Sequence, residues 1–102
     1  MKRPVQWSRG ALDDLKHQIG VIAEDNPLAA RRVHARIRAT AAALGDMAIG
    51  RPGRVSGTYE KSVVNLPYII AYEITPQATS EAVSILHVIH TSRDWPEEEW
   101  PE

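Results

Sequence analysis

The chain has 102 residues, 43% hydrophobic and 25% charged, with a formal net charge of −1 and no cysteine. That size and balance suit one small globular domain, and near-neutrality excludes bulk attraction to nucleic acid, so any such binding has to use a local patch. The missing cysteine excludes disulfides, thiolate metal sites and cysteine nucleophiles together, and no other motif calls for a metal or cofactor.

Residues 4–7 (Pro-Val-Gln-Trp) read as a short strand. The first seven residues hold no apolar stretch of signal-peptide length and no later run is long enough to cross a bilayer, so a cytoplasmic protein with no membrane partner is expected. Ser8 offers an N-cap, and Asp13 and Asp14 fall in early turns, where negative charge suits the helix dipole. Leu12, Leu15, Ile19 and Ile22 follow at the spacing of an amphipathic helix. Residues 24–27 (Glu-Asp-Asn-Pro) break it, Asn26 caps a second helix, and Pro27 takes its first position. Ala30, Val33, Ile37, Ala41 and Leu44 continue the apolar stripe until Gly45 ends the pattern. Two helices joined so tightly run antiparallel as a hairpin.

On the second helix Arg31, Arg32, His34, Arg36 and Arg38 crowd the polar side, with no acidic residue from Pro27 to Gly45. Two readings stand: a solvated face whose long side chains cover apolar surface, or a docking surface for an acidic partner segment or for phosphates. The glycine-rich link at 49–58 invites a phosphate-loop reading, but no Gly-Lys-Ser/Thr follows and no helix opens after its last glycine. Turns around a short strand centred on Val55 account for these glycines.

From Tyr59 the period becomes that of strands, at 60–65, 68–74 and 82–90. The run Leu-Pro-Tyr-Ile-Ile-Ala-Tyr-Glu-Ile at 66–74 is nearly unbroken apolar and reads as a central strand buried on both faces. Short turns between the strands imply an antiparallel meander, and the helix hairpin must cover one of its faces. The expected fold is a two-layer α+β domain over 1–96, with Trp95 anchoring its end and residues 97–102 as an acidic tail.

Several segments carry a family resemblance when taken together. They are Trp7-Ser8 leading into Ala-Leu-Asp-Asp-Leu at 11–15, Asn-Pro-Leu-Ala-Ala at 26–30, Gly-Arg-Val-Ser-Gly-Thr-Tyr-Glu at 53–60, Pro-Tyr-Ile-Ile-Ala-Tyr at 67–72, Ile-Leu-His-Val-Ile-His at 85–90 and Arg-Asp-Trp-Pro at 93–96. In this order the chain resembles the RelE/ParE superfamily of bacterial type II toxins, on the ParE-like branch, in which two long N-terminal helices form a hairpin. The resemblance implies a fold of order β-α-α-β-β-β(-β), a mainly antiparallel sheet, and a toxin held in a hetero-oligomer by a ParD-like antitoxin encoded beside it. ParE-like members are associated with poisoning of DNA gyrase; RelE-like members cleave messenger RNA on the ribosome. A third class is a toxin fold without toxicity that survives as an antitoxin-binding regulatory module.

Cleavage of RNA through its 2′-hydroxyl needs a proton acceptor, a proton donor and cations over the phosphate. Candidates by residue type are Lys61, Tyr72, His87, His90, Arg54 and Arg93. With turns near Gln77 and Leu66, Tyr72 is expected opposite Val83 or Ser84, Leu66 opposite His90, and Lys61 beside Ala71. Lys61 and Tyr72 then stand about six residues, or roughly 20 Å, from His90. That separation disfavours a shared centre and leaves a smaller site, of His90 with Arg93 or one using Arg54, with His90 and Arg93 the better pair for a RelE-like nuclease. The ParE-like reading, a non-hydrolytic gyrase inhibitor, asks only for a surface: Arg54, Arg93 and Trp95 toward the target, and Arg31, Arg32, Arg36 and Arg38 toward the antitoxin.

Overall fold

Two polar caps set the helix hairpin. Ser8 Oγ accepts the Ala11 amide at 3.0 Å and opens α1 (Arg9–Asp25), and Asn26 Oδ1 accepts the Ala29 amide at 3.0 Å and opens α2 (Pro27–Asp46). Each satisfies a first-turn N–H that has no partner inside its helix. Asn26 serves both helices, because its own N–H closes α1 onto the Ile22 carbonyl at 2.9 Å. Pro27 follows at a position where a missing N–H is harmless. The computed structural model describes residues 3–53, 55–78 and 80–91.

The hairpin departs from the sequence reading at two points. Leu12 is 45% exposed, and the inward stripe of α1 is Ala11, Leu15 and Gln18, with Ile19 and Ile22 packed against the core. Gly45 does not end α2, which continues to Asp46 with Gly45 buried inside it. The glycine serves a close crossing: its carbonyl accepts the Arg3 amide at 2.7 Å, and a Cβ there would stand 2.6 Å from the Arg3 carbonyl oxygen.

The remaining elements are β1 (Val5–Trp7), β2 (Arg51–Pro52), β3 (Tyr59–Ser62), β4 (Tyr68–Pro76) and β5 (Glu81–His90), in the sheet order β1-β5-β4-β3-β2. β1 runs parallel to β5 and every other pairing is antiparallel. The two-layer α+β architecture and the β-α-α-β-β-β-β order are those expected from the sequence. The strand placed on Val55 is not: pairing is made by Arg51 and Pro52 instead, and Gly57, at φ +86°, turns the chain back toward β3.

Register is the second correction. Ala71 pairs with His87 but Tyr72 pairs with Ile85, so Leu86 is an extra residue on β5, a β-bulge. Tyr72 therefore faces Ile85, not Val83 or Ser84; His90 faces Tyr68, not Leu66; and Lys61 faces Ile70, not Ala71. Cross-strand partners share a face. Tyr68, Ile70, Tyr72, Val83, Ile85 and Val88 thus form one surface, which closes the core with Ala11, Leu15, Ile37, Ala41 and Leu44 of the helices. Glu60, Ala71 and His87 lie in register on the opposite surface and are also buried. The expected double burial of the central strand holds from Tyr68 to Tyr72 and relaxes from Glu73 onward.

β5 has two different neighbours along its outer edge. β1 covers Val83 to Ile85, and Ser8 continues the contact by donating from its N–H to the Ile85 carbonyl at 2.9 Å. Past the bulge, α1 takes over. Asp14 Oδ2 accepts the Val88 amide at 3.1 Å and lies 2.9 Å from His87 Nδ1, which donates to it. Replacing Asp14 by alanine leaves a buried N–H and a buried ring nitrogen without that acceptor, at a cost of about 1–3 kcal/mol. Ile70→Ala and Ile85→Ala, both at fully buried positions, should cost ~2–5 kcal/mol each. Urea unfolding midpoints of the three variants check these values.

Candidate functional site

The side chains that could move a proton or hold a phosphate are distributed over both faces of the sheet. Tyr72 is 1% exposed, with its ring stacked on Tyr59 at 5.6 Å between centroids. Its hydroxyl is buried beside Gly50, where a Cβ would come within 2.6 Å of it, and among the described residues it has no partner at full hydrogen-bond geometry, only the close approach of the Gly50 backbone. Burial pushes the phenol above its ordinary value of 10.0, with the Gly50 backbone opposing the shift in part. His87, 4% exposed, points to the other face and is tied to Asp14 through Nδ1. His90 is half-buried at the end of β5, its ring edge-on to Tyr68 at 5.2 Å, and it has further interactions. Lys61 is half-buried on the helix side of β3 and forms no ion pair among the described residues. Arg54, Arg93 and Trp95 lie outside the described residues.

The observed register shortens the separations deduced from the sequence. Tyr72 is four residues along β4 from Tyr68, the partner of His90, or roughly 13 Å. Lys61 is two residues along and two strands across from His90, roughly 12 Å between backbones. What keeps these groups from forming one centre is packing more than distance: Tyr72 is sealed in the core and His87 is on the opposite surface. Among the described residues no three His, Asp or Glu side chains come together as a metal-binding group.

The arginines of α2 do not form a single face. Arg38 lies over the Trp7 ring of β1 at 5.1 Å, and Arg31, two turns earlier, shares that flank. Arg36 donates from Nη1 to the Val64 carbonyl at 3.1 Å, just past β3, and Arg32 precedes it by one turn on the same side. All four are exposed. One half of the array follows the β1 edge of the domain and the other half follows the β3 edge.

Between α2 and β3, on the Arg36 side, lies a groove of about 350 Å³ lined by Thr40, Ala43, Met47, Ile49, Lys61 and Val64. Sequence reasoning missed it. Met47 and Ile49 fall in the segment joining α2 to β2 and Val64 falls just beyond β3, and single exposed apolar residues are ordinary. Only their spatial convergence distinguishes them.

Residues 5–95 match the family model described as the ParE toxin of the type II toxin-antitoxin system, parDE. The chain is 39% identical over 97 residues to Y4kP of Sinorhizobium fredii (strain NBRC 101917 / NGR234), a protein with a provisional toxin name, covering 94% of this chain and 96% of that one. Its fold is similar to a structure of the chromosomal ParDE system from P. aeruginosa, with a TM-score of 0.77 at 19% identity, covering 89% of this chain and 98% of the other. It is also similar to a YoeB/ParE toxin from Agrobacterium tumefaciens, with a TM-score of 0.59 at 8% identity, covering 85% and 97%.

The Tyr72 hydroxyl yields a test of both stability and pH dependence. Tyr72→Phe removes a desolvated hydroxyl that only the Gly50 backbone approaches, and should leave stability at neutral pH unchanged or raise it by up to about 1 kcal/mol. Because the folded state holds the phenol proton more tightly than the unfolded chain does, the wild type binds more protons folded than unfolded above pH 10.0. Its stability therefore falls as pH rises from there through the folded-state value. Denaturant midpoints measured from pH 9 upward should show a smaller alkaline loss in Tyr72→Phe than in the wild type.

Proposed function

The chain belongs to the ParE toxin family of type II toxin-antitoxin systems, and from that premise we propose that it arrests growth by inhibiting DNA gyrase without cleaving nucleic acid. A ParD-like antitoxin encoded beside it neutralises it in a hetero-oligomeric complex. The observation that carries the non-hydrolytic reading is the placement of Tyr72 and His87. Each would be a natural proton carrier for RNA cleavage, yet Tyr72 is closed into the core against Tyr59 and His87 is closed against Asp14. General acid–base catalysis requires the carrier to reach the proton it transfers. Side chains occupied in this way serve packing and register, and inhibition then rests on a shaped surface.

On this reading Arg54, Arg93 and Trp95 face the target, and the exposed arginines of α2 attract the antitoxin. No helix among the described residues is long and apolar enough to cross a membrane, which accords with action in the cytoplasm, where gyrase and the ribosome both are. The purified protein should inhibit supercoiling by gyrase while leaving ribosome-bound mRNA intact. Cleaved mRNA that disappears with His90→Ala would replace this reading with a RelE-like nuclease built on His90 and Arg93.

A further inference from the structure

The sheet is buried on two faces, and the helices account for one of them. Tyr68, Ile70, Tyr72 and Val88 close the core with α1 and α2. Ile69, Ala71, His87 and Ile89 alternate with these residues along β4 and β5 and so point to the other face. All four are nonetheless at 7% exposure or less, and Glu60 beside them is at 4%. At the β5 border of this face α1 supplies Asp14, which holds His87. Ile69 and Ile89 pair with each other across the strands and stand outside the cluster that the helices close. All five described strands belong to one sheet, so none is stacked over that pair.

This burial is a property of the single chain, so the chain itself supplies the cover. Position narrows the choice among the residues outside the described ranges. Residues 1–2 precede Arg3, which is tied to Gly45 and Glu81. Residue 54 lies in the turn before β3 and residue 79 in the turn between β4 and β5. All of these attach toward the Pro76–Glu81 end of the sheet, away from Ile69 and Ile89. Thr91 is at the near end, where its N–H donates to the Pro67 carbonyl at 2.9 Å. The chain continues from there through residues 92–102. Ser92 and Asp94 suit a turn. Trp95 is four residues past Thr91, a reach of roughly 13 Å, and Ile89 is two residues back along β5, roughly 7 Å. An indole buries ~150–250 Å², enough to cover an isoleucine pair.

We infer that the chain turns back after β5 and lays Trp95 over Ile69 and Ile89, so that residues 92–96 dock on the second face of the sheet as its outer layer. One side of the indole seals the sheet. The other side faces outward beside Arg93, where it is available to the target. The contact lies within the chain and does not depend on which target the toxin has.

In the wild-type chain, nuclear Overhauser contacts are expected between the Trp95 indole and the methyl groups of Ile69 and Ile89, and their absence overturns the inference. Thiol labelling gives a second test, because the chain has no cysteine of its own. Ile69→Cys should react with a thiol reagent at least about tenfold more slowly than Ser62→Cys, its exposed cross-strand neighbour on the same face. Adding Trp95→Ser should speed the Ile69→Cys reaction about tenfold or more and leave Ile70→Cys, on the helix side, as slow as before. Equal rates at 69 and 62 overturn the inference, and so does protection at 69 that Trp95→Ser leaves intact. Protection at 69 that fades on dilution assigns the cover to a second copy of the chain and overturns it likewise. If Trp95→Ser also exposes Ile70→Cys, the domain has opened as a whole, and the Overhauser contacts of the wild type decide.

Discussion

The contact on which the rest of the domain depends is the Asp14 carboxylate on the outer edge of β5. A strand inside a small sheet needs both edges satisfied, and β1 is too short to cover all of β5. It stops opposite Ile85, where the bulge at Leu86 shifts the register. Asp14 supplies the next acceptor, binding the Val88 amide and the His87 ring from the second turn of α1. One side chain thereby fixes the height of α1 along the sheet, the tautomer of His87 and the register beyond the bulge. The cap at Ser8 and the one-residue hinge at Asn26 then carry that placement into α2.

With the helices fixed in this way, residues suited to chemistry become residues of structure. His87 closes an edge, Tyr72 fills the core beneath Gly50, and His90 packs edge-on to Tyr68. At the surface α2 carries arginines on both flanks, and the exposed apolar side chains Met47, Ile49 and Val64 gather on the Arg36 side. Its two arginine pairs give the domain two distinct borders, one along β1 and one along β3.

Much of this was legible in the sequence because it rests on local rules. Ser8, Asn26 and Pro27 mark helix ends by side-chain chemistry alone, and the apolar run from Tyr68 to Tyr72 marks a strand with no polar face. What escaped was set by partners distant in the chain. Leu86 bears no glycine or other local sign of a bulge, and the turn after β3 sets a register one residue off the expected one, so Tyr72 and Lys61 were placed too far from His90. Gly45 looks like a helix stop until Arg3 is seen lying against it. Arg31, Arg32, Arg36 and Arg38 look like one charged side because all are exposed, yet Trp7 and Val64 draw Arg38 and Arg36 to opposite flanks. The apolar groove has no sequence signal, since its three exposed residues are unremarkable singly.

If Lys61, Tyr72 and His90 carry no proton in a reaction, the chain should stay toxic without them. The direct measurement is growth arrest on induction, with no antitoxin present, of a chain carrying Lys61→Gln, Tyr72→Phe and His90→Gln together, with circular dichroism and thermal unfolding verifying the fold. Arrest at wild-type strength is expected. A triple variant that folds like the wild type but lets cells grow would contradict a surface-based mechanism and return the activity to acid–base chemistry.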